Sequence, residues 1–401
     1  MIADDIDVLV IGAGPAGLSA ARVLKERGID RMVVVDRETE PGGIPRFCPH
    51  PTFGLTDYFR PMSGPSYARH LAAGIDPKSI STQTTVTAIS PELAVSLSRP
   101  DGEQQVTPKR ILLATGIRET PRSARLISGD RPLNVLTTGA LQRMVAVSHH
   151  LPFQHPVIVG TELVSFSAVL TLPDCGVTPV AMLESENRVR TLKPADTLTH
   201  RLLGTPVFVG RGVVSINARP DNSSRLDSVA VADASGQTST IACDAVIFTG
   251  RFVPEASLLA MLPHDFTDTG SLGPAIDQSW RLADPRLYAA GNVLRSVETA
   301  AWSAREGAAA ANAIADDLQG KHDGTERRVP IVCRDPVKLV TPSAIAVPGP
   351  RLGPLHLMVR MARSATGGLT LSVDDRTIWR SPRFTAHPER RLRLSRNLPD
   401  L

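Results

Sequence analysis

Three glycines near the amino terminus, Gly12, Gly14 and Gly17, follow the apolar run Val8–Ile11 with the spacing GxGxxG. Glycine at the first position permits a tight turn, glycine at the second lets a phosphate approach the backbone, and glycine at the third lets the next helix pack closely on the strand. The start of that helix offers free N–H groups and a partial positive charge to phosphates. The spacing therefore predicts a dinucleotide-binding loop.

An acidic residue follows the second strand of the same unit. The helix is expected to end at Gly28, the apolar strand Met32–Val35 comes next, and Asp36 stands directly after it. A carboxylate at this position accepts hydrogen bonds from the hydroxyls of an unphosphorylated ribose, as in FAD or NAD. The residues beside these anchors are expected to contact the same nucleotide: Pro15, Ala16 and Arg37.

Four segments, in this order, resemble the glutathione-reductase-like class of two-dinucleotide-fold flavoproteins. They are the loop GAGPAG with Asp36, the pair Gly42-Gly43, the segment Leu112–Gly116, and the segment Ala289–Asn292. The resemblance covers roughly residues 5–320 and implies FAD as the cofactor. It also implies FAD contacts by Gly42, Gly43, Val86, Ala114, Thr115, Gly116, Gly291 and Asn292. Asn292 stands where the class usually has an aspartate that bonds the ribityl chain, and an amide can still make that bond.

A closer likeness lies in Gly42–Pro51, Gly64–Arg69 and Val293–Thr299. These segments look like the FAD subunits of heteromeric amino-acid or opine dehydrogenases and of hydrogen cyanide synthase. The likeness implies hydride transfer to the flavin from a small amine, amino-acid or opine-like substrate. It also implies a partner flavoprotein subunit, which would carry the substrate oxidation while this chain relays electrons through FAD. Many members of that group carry a cysteine-rich iron–sulfur segment at the C-terminus, and this chain has an arginine-rich segment there. The resemblance therefore does not extend to an electron path through an intrinsic cluster.

Polar side chains are candidates for catalysis on the segments predicted to run beside the flavin. Arg46 and His50 follow the Gly42-Gly43 pair, and either would steady the negative charge of a reduced flavin or bind a substrate carboxylate. Glu298 and Thr299 lie at the predicted flavin end of the last segment. The alternative for each is a loop residue satisfied by its own surroundings.

Cys48 lies in the region where disulfide reductases of the wider class carry two cysteines spaced CxxxxC. This chain has one cysteine there and no partner nearby. Dithiol exchange needs a resolving thiol, so it is excluded. A packed thiol is expected for Cys48, with a redox or flavin-contacting role as the alternative.

A second glycine loop is degenerate. After the strand Val157–Val159 the chain reads Gly160-Thr161-Glu162-Leu163-Val164-Ser165, so only the first glycine remains and Glu162 stands where a pyrophosphate needs space. We therefore expect NAD(P)H to be a poor reductant, with the second fold kept as architecture. Two alternatives remain open: a stand-alone NAD(P)H-dependent flavin reductase, and a non-catalytic scaffold subunit that holds FAD for structure.

The elements that must position these residues recur twice as strand, turn, helix and strand. The second set comprises Val157–Val159, a helix from Leu163 to Leu172 and a return strand from Pro179 to Leu183. Continuous apolar runs are typical of parallel strands buried on both faces. We expect an α/β protein with two Rossmann-like dinucleotide-binding folds and a small C-terminal β-rich appendage of alternating, proline-broken segments.

The domain boundaries follow from where these elements begin and end. The apolar strand Ala245–Phe248 and the alanine-rich helix from about Ser303 to Leu318 are assigned to the first fold, and the character of the chain changes after Gly320. The expected ranges are 1–120 and 245–325 for the FAD-binding domain, 121–244 for the second fold, and 330–401 for the appendage.

The C-terminal segment has an excess of arginine. Its arginines are Arg376, Arg380, Arg383, Arg390, Arg391, Arg393 and Arg396, and the acids near them are Asp374, Asp375 and Glu389. A solvated surface is the default interpretation. Docking onto a partner subunit or an anionic surface is the alternative.

Composition limits the class of protein. Of 401 residues 42% are hydrophobic and only 4% aromatic, and the net charge of +4 comes without a long basic tract, so nucleic acid is not an expected partner. The chain lacks the ~18–20 consecutive apolar residues of a membrane span. The partners expected are a small-molecule substrate and either a partner flavoprotein subunit or a second copy of this chain.

Cysteine and histidine usage gives no metal site. Cys48, Cys175, Cys243 and Cys333 lie far apart with no CxxC, which fits neither an iron–sulfur cluster, nor zinc, nor a disulfide framework. Free thiols suit a reducing cytoplasm, which is the expected location. The only histidine cluster, His149, His150 and His155, lies across a proline-containing turn rather than on one helix face.

Overall fold

The fold was analysed in a computed structural model that describes residues 2, 5–191, 204–221, 224–262, 269–321, 327–347 and 355–396. The chain divides into two compact units. The first unit comprises Met1–Pro41, Gly74–Gly116 and Pro254–Leu401, and the second comprises Gly42–Ala73 and Ile117–Val253.

The α-helices and strands of the described residues are numbered in chain order. The helices are α1 Pro15–Glu26, α2 Gly64–Ala72, α3 Thr138–Ser148, α4 Leu163–Thr171 and α5 Ala300–Leu318. The strands up to the middle of the chain are β1 Val8–Ile11, β2 Met32–Val35, β3 Ile80–Ser81, β4 Thr85–Ile89, β5 Val95–Arg99, β6 Gly102–Val106, β7 Arg110–Leu113, β8 Ile117–Glu119, β9 Ser128–Gly129, β10 Val135–Thr137, β11 Pro156–Val159, β12 Ala181–Leu183, β13 Val207–Phe208 and β14 Gly212–Ala218. The remaining strands are β15 Leu226–Ala232, β16 Thr238–Ala242, β17 Ala245–Phe248, β18 Phe252–Pro254, β19 Leu287–Ala289, β20 Arg327–Pro330, β21 Val337–Thr341, β22 Ala344–Val347, β23 Leu355–Met361, β24 Ala365–Gly367, β25 Thr370–Val373, β26 Arg376–Arg380, β27 Phe384–Ala386 and β28 Leu392–Arg396.

The first unit is built on a parallel five-stranded sheet in the order β19-β7-β1-β2-β3. Its central strand, β1, is buried along its whole length, as its continuous apolar sequence predicts. Val8 is in register with Met32 on one side and with Arg110 on the other. Because β1 pairs with strands on both sides, the loop that follows it opens at the carboxyl edge of the sheet, where ligands of such folds bind.

Helix α5 packs directly against α1 through a glycine. A Cβ added at Gly307 would lie 1.9 Å from the carbonyl oxygen of Ala16, so no larger residue fits without displacing a helix. This contact places the second turn of α5 against the first turn of α1.

The second unit has its own parallel five-stranded sheet, in the order β10-β17-β11-β12-β13, and a four-stranded sheet in the order β16-β15-β14-β9. Apolar side chains from both sheets, among them Val157, Phe248 and Val229, form one buried cluster. The segment 42–73 belongs to this unit and contains a short 3₁₀ helix, Ile44–Phe47, and α2. The expected α/β class with two Rossmann-like folds is confirmed.

The units differ from the domain boundaries expected from sequence. Strand β17 lies in the second sheet, paired with β10 and β11 and fully buried, so residues 245–253 are not part of the FAD-binding fold. Residues 42–73 are likewise grouped with the second unit, and the C-terminal segment is grouped with the first. A buried apolar strand reads the same in either sheet, so the sequence could not show which partners it would pair with.

The C-terminal segment consists of small antiparallel sheets. The largest has the order β21-β23-β28, and the others are the pairs β20-β22, β24-β27 and β25-β26. Val340, Leu357 and Val359 form the buried centre of a small apolar cluster of its own. The expected β-rich character of this region is confirmed.

Across the described ranges, no helix has both the length and the apolar character that crossing a bilayer requires.

Candidate functional site

The glycine loop after β1 is held in a conformation that two of its glycines make possible. Gly12 has φ +107°, and a Cβ there would lie 2.5 Å from the carbonyl oxygen of Ala114. A Cβ at Gly17 would lie 1.9 Å from the carbonyl oxygen of Gly12. Gly14 is the N-cap of α1 and contributes no side chain over the helix start. The loop therefore brings the positive end of α1 to an uncovered backbone surface.

Asp36 is fixed beside this loop. Its Oδ2 accepts a hydrogen bond from the backbone N–H of Ala13 at 2.6 Å, and its Oδ1 accepts one from the N–H of Glu38 at 2.9 Å. The carboxylate is half-buried, and each oxygen keeps a free lone pair for a ribose hydroxyl. Arg37, also expected to contact the nucleotide, is exposed next to it.

The segment after β7 supports the glycine loop from the neighbouring strand. The N–H of Ala114 donates to the carbonyl of Ile11 at 2.9 Å. The hydroxyl of Thr115 donates to the carbonyl of Glu255 at 2.6 Å, and Gly116 turns the chain with φ +75°. The hydroxyl of Thr115 thus holds the loop, and the FAD contact expected of Thr115 stays a prediction. Val86 on β4 is buried in the main apolar cluster of the first unit.

Gly291 brings the fourth segment to the start of α1. Its φ is +80°, and a Cβ there would lie 2.9 Å from the Cβ of Ala16 and 3.4 Å from the Cβ of Ser303. The N–H of Gly291 donates to Oε2 of Glu306 at 3.1 Å. The structure therefore gathers the glycine loop, Ala114 and Gly291 in one part of the first unit.

The side chain of Asn292 closes the loop that follows it. Its Oδ1 accepts from the N–H of Glu298 at 2.7 Å, and its Nδ2 donates to the carbonyl of Glu298 at 3.2 Å. An amide can make both bonds at once, whereas the aspartate usual in this position cannot donate. The ribityl bond expected from sequence would have to use the remaining hydrogen or lone pair of the amide.

The residues of the first unit fit FAD. The loop has an uncovered helix start and a fixed carboxylate with unused lone pairs. Within the described residues, the buried hydroxyl of Ser303 next to Gly291 has no hydrogen-bond partner. A buried polar atom without a partner is rare unless a ligand or water completes it.

The corresponding loop of the second unit is filled by its own side chain. Glu162 is the N-cap of α4, where Gly14 is the N-cap of α1. A Cβ at Gly160 would lie 2.6 Å from Oε2 of Glu162, and a Cβ at Gly250 would lie 2.6 Å from its Oε1. The carboxylate of Glu162 therefore lies over both glycines, in the space that such a loop leaves for a pyrophosphate.

Hydrogen bonds hold Glu162 in this place. Nη1 of Arg190 donates to its Oε1 at 3.0 Å. The hydroxyls of Ser165 and Thr249 lie 3.2 and 3.3 Å from its Oε2 and 2.6 Å from each other, so at most one of the two donates to the carboxylate at a time. Arg190 and one of these hydroxyls therefore define the position of the half-buried carboxylate, and the closure does not depend on a single contact.

The acid that should bind a ribose in the second unit is buried. Glu184 follows β12 as Asp36 follows β2, a correspondence that the sequence analysis missed. Its Oε2 accepts from the hydroxyl of Thr161 at 2.6 Å, its Oε1 accepts from the N–H of Glu186 at 3.1 Å, and the residue is only 3% exposed. Neither half of this site fits NAD(P): one is filled by Glu162, and the other is buried.

His50, a candidate catalytic residue, is packed within the second unit. Its ring nitrogens lie 2.9 Å from the hydroxyl of Thr52 and 2.5 Å from the hydroxyl of Ser167, and its ring stacks on Phe53. Burial lowers the pKa of His50, an effect that Asp174 partly opposes, so the ring is neutral at pH 7. A neutral ring with both nitrogens hydrogen-bonded supplies no cation at pH 7, and the catalytic role expected of His50 stays a prediction.

Arg46, the other candidate, lies in the 3₁₀ helix Ile44–Phe47. Its side chain packs on Gly42, where a Cβ would lie 2.8 Å from the Cγ of Arg46, and its guanidinium lies 5.2 Å from the ring centre of Phe47. Arg143 approaches the same ring at 5.1 Å. Gly42 and Gly43 both have positive φ, so the pair shapes the start of this helix. The catalytic role of Arg46 stays a prediction.

Cys48 is a buried thiol. It is 4% exposed, and its Sγ donates to the carbonyl of Ile44 at 3.6 Å. Burial raises the pKa of Cys48 to about 12, although a hydrogen bond with Ser167 opposes the shift. The reactive thiolate is therefore absent at neutral pH. The packed thiol expected from sequence matches this geometry.

The histidine cluster does not converge. His149 ends α3 in the left-handed conformation, and His155 lies 3.7 Å from Asp244. Over the described part of the chain, no three histidine, cysteine or acidic residues are grouped to hold a metal ion.

Comparisons with known proteins show which family of proteins has this fold and these motifs. Residues 6–307 match the pyridine nucleotide-disulphide oxidoreductase family. An opine oxidase subunit from Rhizobium meliloti (strain 1021) is 32% identical over 162 residues, 39% of this chain and 33% of that protein. The hydrogen cyanide synthase subunit HcnB of Pseudomonas protegens is 25% identical over 334 residues, 75% of this chain and 69% of that one. The thioredoxin reductase of T. acidophilum has the same fold, with a TM-score of 0.64 at 18% identity, over 79% of this chain and 100% of that one.

The chain belongs to the pyridine nucleotide-disulphide oxidoreductase family. The resemblance carried by its four segments is thereby confirmed. The family as a whole uses a flavin together with NAD(P). The match spans about a third of the length of the opine oxidase subunits to which the chain is similar.

Proposed function

We propose that this chain is the FAD-binding subunit of a heteromeric dehydrogenase that oxidises a small amine, amino acid or opine-like compound. Two relatives support this, because the opine oxidase and hydrogen cyanide synthase chains are by name subunits of larger enzymes. The partner would be a second flavoprotein subunit, and a second copy of this chain is the alternative. Four free cysteines suit a reducing cytoplasm.

The observation that carries the proposal is the closure of the second loop by Glu162. A member of this family that draws electrons from NAD(P)H needs a second glycine loop that is open to the pyrophosphate of NAD(P)H. In this chain a carboxylate paired with Arg190 lies over Gly160 and Gly250. The electrons that reduce the flavin must then come from another donor, and an organic substrate is the donor that the relatives' names point to.

The chain's own residues account for binding of the cofactor. The glycine loop and the start of α1 would hold the pyrophosphate of FAD, Asp36 would hold the ribose of its AMP half, and Gly291 would face the flavin half. When bound, FAD accepts a hydride from a carbon that bears an amine or a hydroxyl. The contribution of the protein is to orient the cofactor and to keep nicotinamide from competing as a donor.

Disulfide reduction, the activity in the name of the thioredoxin reductases of this fold, is not favoured. That chemistry needs a thiolate and a resolving thiol. The four described cysteines are free, and the one in the relevant region, Cys48, is buried with its pKa raised to about 12. A stand-alone NAD(P)H-dependent flavin reductase is not favoured either, because the carboxylate of Glu162 occupies the second glycine loop. A scaffold that holds FAD without reducing it remains the third possibility, which reduction experiments separate.

The test uses the tagged chain, isolated with its bound partner from the native host. The complex is mixed anaerobically with a panel of amino acids, N-substituted amino acids and secondary amines, and flavin bleaching is followed. NADH and NADPH form a second arm. The same complex carrying Gly14→Glu, which removes FAD from this chain alone, shows how much of the signal belongs to this flavin.

Bleaching by one class of amine substrate, lost in part with Gly14→Glu, is the expected result. Rapid saturable bleaching by NADH or NADPH would instead support the stand-alone reductase. A flavin that no substrate and no nicotinamide reduces, in a complex that turns over substrate, would support the scaffold.

A further inference from the structure

A cluster of buried charged side chains joins the C-terminal segment to the part of the first unit that holds Gly291 and Asn292. It consists of Arg295, Glu298, Glu306, Arg360 and Arg391, which we call the charge cluster. The side chain of Arg295 is fully buried, and those of Glu298 and Glu306 are 3% and 4% exposed. So many charges leave water only where each has a partner, and such groups fix geometry more than they add stability.

The Glu306 half of the charge cluster holds Gly291. Oε2 of Glu306 accepts from the N–H of Gly291, and Oε1 accepts from Nε1 of Trp302 at 2.7 Å and from Nη2 of Arg295. Burial raises the pKa of Glu306, and the adjoining Arg295 opposes that shift and favours the charged form. One carboxylate from the second turn of α5 therefore fixes the backbone of Gly291 directly.

The Glu298 half holds Asn292. The backbone of Glu298 makes the two hydrogen bonds with the amide of Asn292 described above. Glu298 immediately precedes Thr299, the N-cap of α5. The hydroxyl of Thr299 accepts a hydrogen bond from the N–H of Trp302 at 3.3 Å. The position of Glu298 therefore fixes the position of the Asn292 side chain.

Two arginines of the C-terminal segment hold Glu298. Nη2 of Arg360, on β23, donates to Oε1 of Glu298 at 2.6 Å and to the carbonyl of Val297 at 3.2 Å. Nη1 of Arg391, next to β28, donates to Oε2 of Glu298. The guanidinium of Arg391 also lies 4.0 Å from the ring centre of Trp302, close enough for a cation–π contact.

These contacts change the interpretation of the C-terminal arginines. The sequence predicts a solvated surface for Arg391, with a docking face as the alternative. In the structure it is half-buried against a glutamate and a tryptophan of the same unit. It is therefore part of the packing next to α5.

We propose that Arg360 and Arg391 are positioning residues for FAD: the C-terminal segment acts through Glu298 to hold Asn292 and the start of α5 in the geometry that the cofactor needs. This inference rests on the proposed function in one respect only, namely that FAD binds beside Gly291 and Asn292. It assigns the C-terminal segment to the cofactor site and not to assembly.

Three measurements test the proposal on the full-length chain. FAD affinity is measured by reconstitution of the flavin-free chain, and the flavin midpoint potential is measured on the reconstituted chain. Hydrogen exchange of residues 292–299 is measured in the flavin-free chain, where FAD cannot contribute protection. The variants are Arg360→Met and Arg391→Met, which keep a long side chain without charge, with Arg360→Lys and Arg391→Lys as conservative rescues. Arg363→Met is the matched control, because Arg363 forms an exposed pair with Asp335 in the same segment.

The methionine variants are expected to bind FAD at least about tenfold more weakly, with faster exchange at residues 292–299 and a shifted flavin potential. The lysine variants should recover part of each effect, and Arg363→Met should match wild type. In a double-mutant cycle, Glu298→Gln and Arg360→Met should weaken FAD binding by less together than the product of their separate effects, because both break the same link.

Wild-type FAD affinity, potential and exchange in both methionine variants would overturn the proposal. If Arg360→Met does not fold, Glu298→Gln, which keeps the shape of the side chain, gives the decisive comparison of the same quantities. A wild-type chain that binds no FAD would contradict the proposed function. Exchange at residues 292–299 would still decide whether the arginines position this loop.

Discussion

Asp36 Oδ2 accepts a hydrogen bond from the N–H of Ala13 at 2.6 Å, which ties the acid after β2 to the middle of the glycine loop. The carboxylate therefore has two tasks. It shapes the loop through Ala13, and it offers its remaining lone pairs to a ribose. Both tasks need acceptor oxygens, so a substitution affects them together, and they are told apart by measuring the stability of the flavin-free chain and the FAD affinity separately.

The exchange of Asp36 should distinguish these tasks. Asp36→Ala removes both, and we expect FAD affinity to fall by about 1.5–3 kcal/mol and the stability of the flavin-free chain to fall by about 1–2 kcal/mol. Asp36→Asn keeps one acceptor oxygen and should lose less of each. Affinity is measured by fluorescence titration and stability by urea unfolding. An unchanged FAD affinity in Asp36→Ala would show that the ribose binds elsewhere.

Placing a glutamate at Gly14 should produce a chain without FAD. The second loop shows what such a residue does, because Glu162 occupies the corresponding N-cap position and its carboxylate fills the cradle. Gly14→Glu should therefore purify colourless and fail to take up added FAD. Gly74→Glu is the matched control, since Gly74 is exposed and a Cβ there meets nothing closer than 4.0 Å. Full flavin absorbance in Gly14→Glu would contradict the placement of the pyrophosphate.

The burial of His50 should make stability depend on pH in a defined direction. Its pKa is lowered in the folded chain, so between the ordinary value of 6.5 and that lower value the unfolded chain binds the proton more tightly. Its contribution to stability is thus present above pH 6.5 and is lost as the pH falls below it. His50→Gln keeps polar atoms but does not titrate, and it should lose less stability than wild type between pH 7.5 and about pH 5. Equal losses in urea unfolding would contradict the assignment of a buried neutral ring.

The sequence predicted what depends on local pattern. The strand, glycine loop and helix in that order, the tight turn at Gly12 and the acid Asp36 directly after β2 are all as the spacing predicts. What it missed depends on contacts between distant segments. Nothing in the local sequence of His50 shows that Ser167 lies against it, and nothing near Arg391 shows that Glu298 is its partner.

Glu162 in the second glycine loop shows what a sequence pattern does not predict. The absence of the second glycine predicted a degenerate second loop, because Glu162 brings bulk and charge. The sequence left open whether that side chain points outward. The hydrogen bond from Arg190 and the contacts with the hydroxyls of Ser165 and Thr249 fix it over the glycines, and these three residues come from separate parts of the second unit.

Glu162 should keep NADH and NADPH from acting as efficient reductants. Its carboxylate takes the space of a pyrophosphate, and two like charges ~4 Å apart at an effective dielectric near 20 repel by about 4 kcal/mol, roughly a thousandfold in affinity. Arg190 offsets part of this repulsion, so we expect Glu162→Ala to raise the affinity for NADH by about tenfold or more. Glu186→Ala is the matched control, because Glu186 is exposed on the neighbouring segment and tests whether removing any nearby charge has the same effect.

Affinity is measured by quenching of nicotinamide fluorescence, and reduction by anaerobic stopped-flow bleaching of the flavin. Because Glu184 stays buried against Thr161, the Glu162→Ala variant should still bind NADH weakly in absolute terms. Rapid, saturable bleaching of the wild-type chain at micromolar NADH would refute the closure and return the stand-alone reductase to first place.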